Sequence, residues 1–214
     1  MTLVAFDFDG TLSDSEMTIL LGEQCGVADR MAAITDRTMA GEIGYAESLR
    51  ERVSLLEGLA LDRVEAAFAN VRLQPGAAEV LSALVEAGVT TAVLTGGFEC
   101  GVEGALADAG VTTDYTYANR LLDDGEALTG DVAGPLIEGT KDDVLRALAD
   151  DSGISIENTI AVGDGANDRP MLAAAGVAIG YDPKPAVEPA CDVTVASMAD
   201  LRATLEGEGV LPER

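Results

Sequence analysis

Histidine and tryptophan are absent from this 214-residue chain, lysine occurs only at positions 141 and 184, and aromatics make up 4% of the residues. Without histidine there is no Ser-His-Asp triad, no histidine-ligated zinc and no phosphohistidine chemistry, so proton transfer falls to carboxylates. With few aromatics, the core must rest on Ala, Val and Leu; the apolar content of 48% is enough to build a substantial one. No apolar run is long enough to cross a bilayer. A strand begins after two residues, which leaves no room for a signal peptide and points to a cytoplasmic protein without a membrane partner. Cys25, Cys100 and Cys191 lack metal or redox spacing and are expected to be reduced, mostly buried thiols.

Positive charge is scarce in general: 13 basic residues face 38 acidic ones, for a net charge of −25. Such a chain repels nucleic acid at long range, which argues against DNA or RNA as a partner. An acidic surface nearly free of lysine suits a salt-rich cytoplasm, where self-repulsion is screened within about 3 Å at molar salt. A halophilic protein is the expectation.

What is present begins at Leu3-Val4-Ala5-Phe6-Asp7-Phe8-Asp9-Gly10-Thr11-Leu12. An apolar strand runs into two aspartates at i and i+2, which point the same way from extended backbone. Two carboxylates aimed at one place call for a cation, so metal-assisted chemistry is the first expectation. Residues 14–72 show no strand pattern, and Tyr45–Leu56 and Asp62–Val71 carry apolar residues at helical spacing. Further strands are expected at Val89–Leu94, 115–118, Thr159–Val162, Val177–Ile179 and Val193–Val195, with a hairpin turning at Asp124-Gly125. Single helices separate most of them: Ala77–Ala87, one ending near Gly110, Asp142–Asp150 and Met171–Ala175, with Met198–Leu205 after the last strand.

This order predicts an α/β fold with a doubly wound parallel sheet (Rossmann-like) and a small helical cap inserted after the first strand. The expected core spans 1–13 and 73–214, the cap 14–72. Ligands bind such sheets beyond the carboxyl ends of the strands. There lie Asp7 and Asp9, then Thr95 in Leu94-Thr95-Gly96-Gly97, and Asp164 and Asp168 in Gly163-Asp164-Gly165-Ala166-Asn167-Asp168. Taken singly, these motifs also fit a calcium loop, a strand-to-helix turn or an Asp/Gly-rich loop, and Lys141 fits a solvated helix residue.

Taken together and in order, the four elements resemble the motifs of the haloacid dehalogenase-like hydrolases. The resemblance implies that Asp7 attacks phosphorus to form an aspartyl-phosphate and that Asp9 protonates the leaving alkoxide, then deprotonates water. It implies Mg²⁺ held by Asp7, the backbone carbonyl of Asp9 and Asp164, with Asp168 holding the metal's waters or Lys141. Thr95 and the Gly96 N–H would bind the phosphoryl group at a helix start, and Lys141 would bridge Asp7 and phosphate.

The cap sequence Glu47-Ser48-Leu49-Arg50-Glu51-Arg52-Val53-Ser54-Leu55-Leu56, with Glu16, Ala118-Asn119-Arg120-Leu121 and Leu128-Thr129-Gly130, narrows the resemblance to the phosphoserine phosphatases. It implies O-phosphoserine as the small phosphomonoester, with Arg52 on its carboxylate and Glu16 on its ammonium. Met39 and Tyr45 would close the apolar side; Gly97 and Asn167 would add polar contacts. The same residues leave room for a phosphoserine:homoserine phosphotransferase, another small-phosphoester phosphatase, or a non-catalytic phosphometabolite-binding protein. A monomer or homodimer is expected.

Overall fold

The computed structural model describes residues 1–39 and 41–213, Met39 by its backbone alone. Seven strands form one sheet among the described residues: β1 (Leu3–Phe6), β2 (Thr90–Phe98), β3 (Tyr115–Asp123), β4 (Leu128–Ala133), β5 (Thr159–Gly163), β6 (Val177–Tyr181) and β7 (Val193–Val195). Their spatial order is β4-β3-β2-β1-β5-β6-β7. All pairings are parallel except β3 with β4.

The central strands β1 and β5 are buried along their whole length, as a parallel strand covered on both faces must be. The period of two divides β1 between two cores. Val4 and Phe6 pack with the cluster under α5 (Ala77–Glu86) and α9 (Met198–Gly207). Leu3 and Ala5 pack with Leu145, Leu148, Met171 and Leu172 of α7 (Lys141–Asp151) and α8 (Arg169–Ala174). From β1 the chain winds outward through β2 and β3, then crosses back to β5 on the other side of β1. That reversal of direction opens a crevice at the carboxyl ends of β1, β2 and β5.

Among the described residues, four helices lie between β1 and α5: α1 (Met17–Cys25), α2 (Ala28–Met39), α3 (Tyr45–Ser54) and α4 (Leu61–Phe68). The chain leaves for them and returns side by side: Ser13 bridges Leu73, Gln74 N–H donates to Leu12 O at 2.8 Å, and the Ser13 hydroxyl donates to Arg72 O at 2.8 Å. At their far end the helices are sewn to the β3–β4 hairpin. Gly58 N–H donates to Leu128 O at 2.8 Å, Leu128 N–H to Leu59 O at 2.9 Å, and Leu61 N–H to Glu126 O at 3.0 Å. Met17 seals the base, packing beside Gly101 of α6 (Glu99–Asp108), where a Cβ would lie 2.7 Å from the Met17 sulfur.

Three expectations need correction. β2 does not stop at Leu94 but continues to Phe98, with its register against β3 shifting between Leu94 and Phe98. Thr95 and Gly96 therefore sit on an irregular strand end rather than at a helix start; α6 begins only at Glu99. β3 likewise extends to Asp123, because the hairpin continues the strand instead of following it. The cysteines are free but not mostly buried: Cys25 and Cys100 are exposed and Cys191 is half-buried. Cys25 closes α1 just before its left-handed Gly26 cap. On α6 the inward face is taken by Gly101, Val102 and Ala105, which turns Cys100 outward.

Candidate active site

β1 ends in Asp7, whose N–H continues the ladder by donating to Val162 O of β5 at 2.9 Å. The side chain is held below solvent reach at 3% exposure. Gly10 then turns the chain with φ of 82°, close enough to Asp164 that a Cβ would lie 2.8 Å from its Oδ2. Glycine is needed there for both reasons. The turn brings the loop after β1 against the loop after β5.

Lys141, the first residue of α7, is buried and bridges two carboxylates: its Nζ lies 2.6 Å from Asp7 Oδ1 and 2.5 Å from Asp168 Oδ1. Asp168 Oδ2 accepts the N–H groups of Asp164 and Gly165 at 3.0 and 2.8 Å. Both Asp168 oxygens are thus engaged, one by the ammonium and one by the loop. Gly163 makes room for this side chain, since a Cβ there would lie 2.6 Å from Asp168 Cβ. Burial disfavours the charged ammonium, but Asp168 and Asp7 together outweigh it and hold the Lys141 pKa above its usual value.

The carboxylates are less well neutralised. Burial, then the Asp168 charge, raise the Asp7 pKa to about 7 despite Lys141. Burial raises Asp164 as well. Asp9 is pushed well above 3.8 by burial, with Glu16 and Asp7 adding to the effect. Its Oδ2 accepts only a long hydrogen bond from Met17 N–H at 3.4 Å, and its buried Oδ1 has no partner among the described residues.

Asp7, Asp164 and Asp168 each offer an oxygen within 4.8 Å of the others. With Asp168 committed to Lys141 and the loop, Asp7 and Asp164 are the two side chains left to hold a cation. The excess of buried negative charge and the orphaned Asp9 oxygen fit an added positive ion.

One cavity of about 200 Å³ lies over this cluster. Its lining includes Asp7, Asp9, Glu16, Tyr45, Arg52, Thr95, Gly96, Gly97, Asp164 and Asn167, which the sequence had singled out, together with Thr35, Thr38 and Leu49 among others that it had not. Lys141 and Asp168 support it from below through Asp7 and the loop. The Met39 side chain lies outside the described residues. Thr95 Oγ1 accepts the Gly97 N–H at 3.0 Å, so the hydroxyl keeps its proton for an anion in the cavity.

From α3, Arg52 crosses to α1: its Nη1 donates to the Thr18 hydroxyl at 3.3 Å and its Nε to Ser48 O at 3.3 Å. Burial lowers the Arg52 pKa and the guanidinium stays charged. Glu16, at the start of α1, keeps solvent access, and the packing around it raises its pKa mainly by removing water. A carboxylate and a guanidinium therefore face the same small space.

Several groups in or beside this space escaped the sequence reading. Lys184 lines the cavity and pairs with Asp164 at 2.9 Å; the signal that could have found it is the scarcity of lysine, since it is one of only two in the chain. Thr18 and Ser48 position Arg52. Asn119, fully buried, donates to Gly96 O at 3.1 Å and accepts Leu136 N–H at 3.2 Å. Ser48 and Asn119 lie in runs that carry the family resemblance, but nothing local in the sequence assigns either of them, or Thr18, its contact.

The arrangement can carry phosphoryl transfer: a buried carboxylate beside an ammonium, a second carboxylate inclined to hold a proton, hydroxyl and amide donors, and a cation site. Comparison with known proteins agrees. The haloacid dehalogenase-like hydrolase family matches residues 4–173. The phosphoserine phosphatase of Halobacterium salinarum is 51% identical over 210 residues, covering 98% of this chain and 100% of the relative. That of Methanocaldococcus jannaschii is 38% identical over 205 residues, covering 95% and 96%. Among solved structures, a substrate-bound phosphoserine phosphatase complex superposes with a TM-score of 0.87 at 36% identity, covering 96% of this chain and 97% of the other. A phospho-aspartyl intermediate analogue of phosphoserine phosphatase gives 0.86 at 37% identity, covering 96% and 98%. The chain belongs to the haloacid dehalogenase-like hydrolases and, within them, to the phosphoserine phosphatase family.

Proposed function

We propose that this chain hydrolyses O-phospho-L-serine to L-serine and phosphate in a magnesium-dependent reaction passing through a phosphorylated Asp7. A side-chain oxygen of Asp7 forms the new bond to phosphorus as the bond to the serine oxygen breaks. That oxygen takes the proton held by Asp9. Asp9, now ionised, accepts a proton from the water that attacks the phosphoaspartate, which frees phosphate and restores both carboxylates. The raised Asp9 pKa supports this role, because the acid must hold a proton near neutrality.

Lys141 offsets the repulsion between Asp7 and the incoming phosphoryl oxygens, and Asp168 fixes it in place. Thr95 and the Gly96 N–H take phosphoryl oxygens. Mg²⁺ held by Asp7, Asp164 and the Asp9 carbonyl supplies charge neutralisation of those oxygens and alignment of the phosphoryl group. Helices of residues 14–72 act as a cap domain on a core of 1–13 and 73–214, excluding bulk water and large substrates.

The observation that carries the substrate assignment is the shared cavity. It joins Asp7 and Asp9 to the carboxylate of Glu16 and the guanidinium of Arg52 in a volume of about 200 Å³. Those opposite charges complement the ammonium and carboxylate of a small zwitterion. The test is phosphate release from phosphoserine, phosphothreonine and sugar phosphates, with and without Mg²⁺ and homoserine. Release from phosphoserine above the rest supports the reading. Preference for another phosphoester, transfer to homoserine, or binding without turnover would each replace it.

A further inference from the structure

Both lysines of a chain that otherwise carries arginine reach the acidic cluster. Lys141 serves Asp7 and Asp168, while Lys184 Nζ lies 2.9 Å from Asp164 Oδ2. Lys184 sits in Asp182-Pro183-Lys184-Pro185, the loop that leaves β6. Two prolines restrict the backbone on either side of it. Asp182 adopts φ of 39°, the one non-glycine residue at positive φ among the described residues, and its N–H donates to Val195 O at 2.7 Å. Lys184 N–H donates to the Asp164 carbonyl at 2.9 Å, and Lys184 O accepts the Val187 N–H at 2.8 Å. The loop is thus pinned at both ends, and Lys184 grips Asp164 by backbone and by side chain. An ordinary surface ion pair has neither the fixed backbone nor a buried partner.

The grip is one-sided. The ammonium takes Oδ2, while Oδ1 accepts only a long hydrogen bond from the Thr11 hydroxyl at 3.5 Å among the described residues. A lysine is a point donor and can occupy one oxygen of a carboxylate where an arginine fork would span two. We propose that Lys184 is a positioning residue that occupies one oxygen of Asp164, so that Asp164 offers a bound cation only the other, and that this favours a small octahedral ion over a larger one such as calcium. A small ion in octahedral geometry takes one oxygen from each carboxylate, whereas Ca²⁺ accepts six to eight oxygens and gains from two-oxygen ligation. The inference rests on Asp164 being a cation ligand, as in the proposed function.

The test is titration calorimetry of the metal-free full chain with MgCl₂ and with CaCl₂, in parallel with circular dichroism to confirm folding. Lys184→Met frees the second Asp164 oxygen; the preference for Mg²⁺ over Ca²⁺ should fall by about tenfold, chiefly because Ca²⁺ binds more tightly. Lys184→Arg keeps the positive charge but can span both Asp164 oxygens; it should weaken both ions and should not raise the affinity for Ca²⁺. Equal tightening of both ions in Lys184→Met would mean a plain loss of positive charge and would overturn the inference, as would an unchanged ratio or the same collapse in Lys184→Arg. Asp164→Asn separates the two levels. If it loses both ions while Lys184→Met keeps the wild-type ratio, only the role of Lys184 fails. If it binds both as wild type does, the assignment of Asp164 as a ligand fails, and the inference with it.

Discussion

The Tyr45 hydroxyl of α3 rests so close to Gly96 of β2 that a Cβ fits at position 96 only if Tyr45 moves. Gly96 is not at positive φ, so the requirement for glycine comes from its neighbour rather than from its backbone. The contact joins the helices after β1 to the strand end that carries Thr95, and it fixes how near α3 comes to the acidic cluster. Gly96→Ala should push Tyr45 away and cut kcat/KM on phosphoserine by at least about tenfold. Removing the opposing hydroxyl with Tyr45→Phe in the same chain should recover part of that loss. A double variant no better than Gly96→Ala alone, by steady-state kinetics, would show that the contact is not what excludes a side chain.

Asp7→Asn keeps the size of the side chain and removes its nucleophilic oxygen. Turnover should fall by about three orders of magnitude or more, with no phosphoenzyme trapped on acid quench. Normal phosphate release by this variant would place the nucleophile elsewhere.

Arg52→Ala should lower kcat/KM for phosphoserine by about a hundredfold, the scale of a lost charge-assisted pair of hydrogen bonds. An uncharged aryl phosphate, with no carboxylate to present, should lose far less. Equal losses on both would make Arg52 a structural link to Thr18 rather than a reader of the substrate.

Asp9 gives a signed pH dependence in the metal-free protein. Its folded pKa is raised well above 3.8 by burial, Glu16 and Asp7. Between the unfolded value and the folded one, the native state binds more protons than the unfolded state. The stability Asp9 contributes is therefore fullest at low pH and is lost as pH rises through the folded pKa. Asp9→Asn cannot ionise. Denaturant midpoints across pH should show the variant gaining on wild type as pH rises from 3.8 upward, and a flat difference would contradict the shift.

The net charge of −25 predicts a gain in folding and activity in molar KCl, where repulsion is screened within about 3 Å. Thermal midpoints should rise by several degrees between dilute buffer and molar salt, since about 1 kcal/mol moves the midpoint of a domain this size by roughly 2–4 °C. Full stability in dilute buffer would count against a halophilic design.

Much of the fold was legible because its signals are local. The run Leu3–Phe6 reads as a buried strand from its unbroken apolar character, and Thr159–Val162 does so for the same reason. The hairpin announced itself at Asp124-Gly125, where Gly125 has φ of 94° and Asp124 Oδ1 accepts the N–H groups of Glu126 and Ala127 at 3.0 and 2.9 Å. The extension of β2 through Thr95-Gly96-Gly97 was not legible, because two glycines after a threonine read as a turn. Pairing with β3 on either side of it, and Asn119 bonded to the Gly96 carbonyl, help hold that stretch extended. The outward thiols of Cys25 and Cys100 were missed because burial tendency is a property of residue type, while helix phase decides which side faces out.

By itself the sequence determined the chemistry on offer: no histidine, carboxylates in pairs, a lysine beside them, and motifs in an order that few folds share. Those choices lie along one dimension, since each motif is a short run at a strand end. The tertiary structure decided which of them meet. It bound Lys141 to Asp168 as well as Asp7, committed Asp168 to its own loop, and set Lys184 against Asp164 from a loop 20 residues further on. Contacts of that range follow from sheet order and close approach at glycine, and no local pattern encodes them.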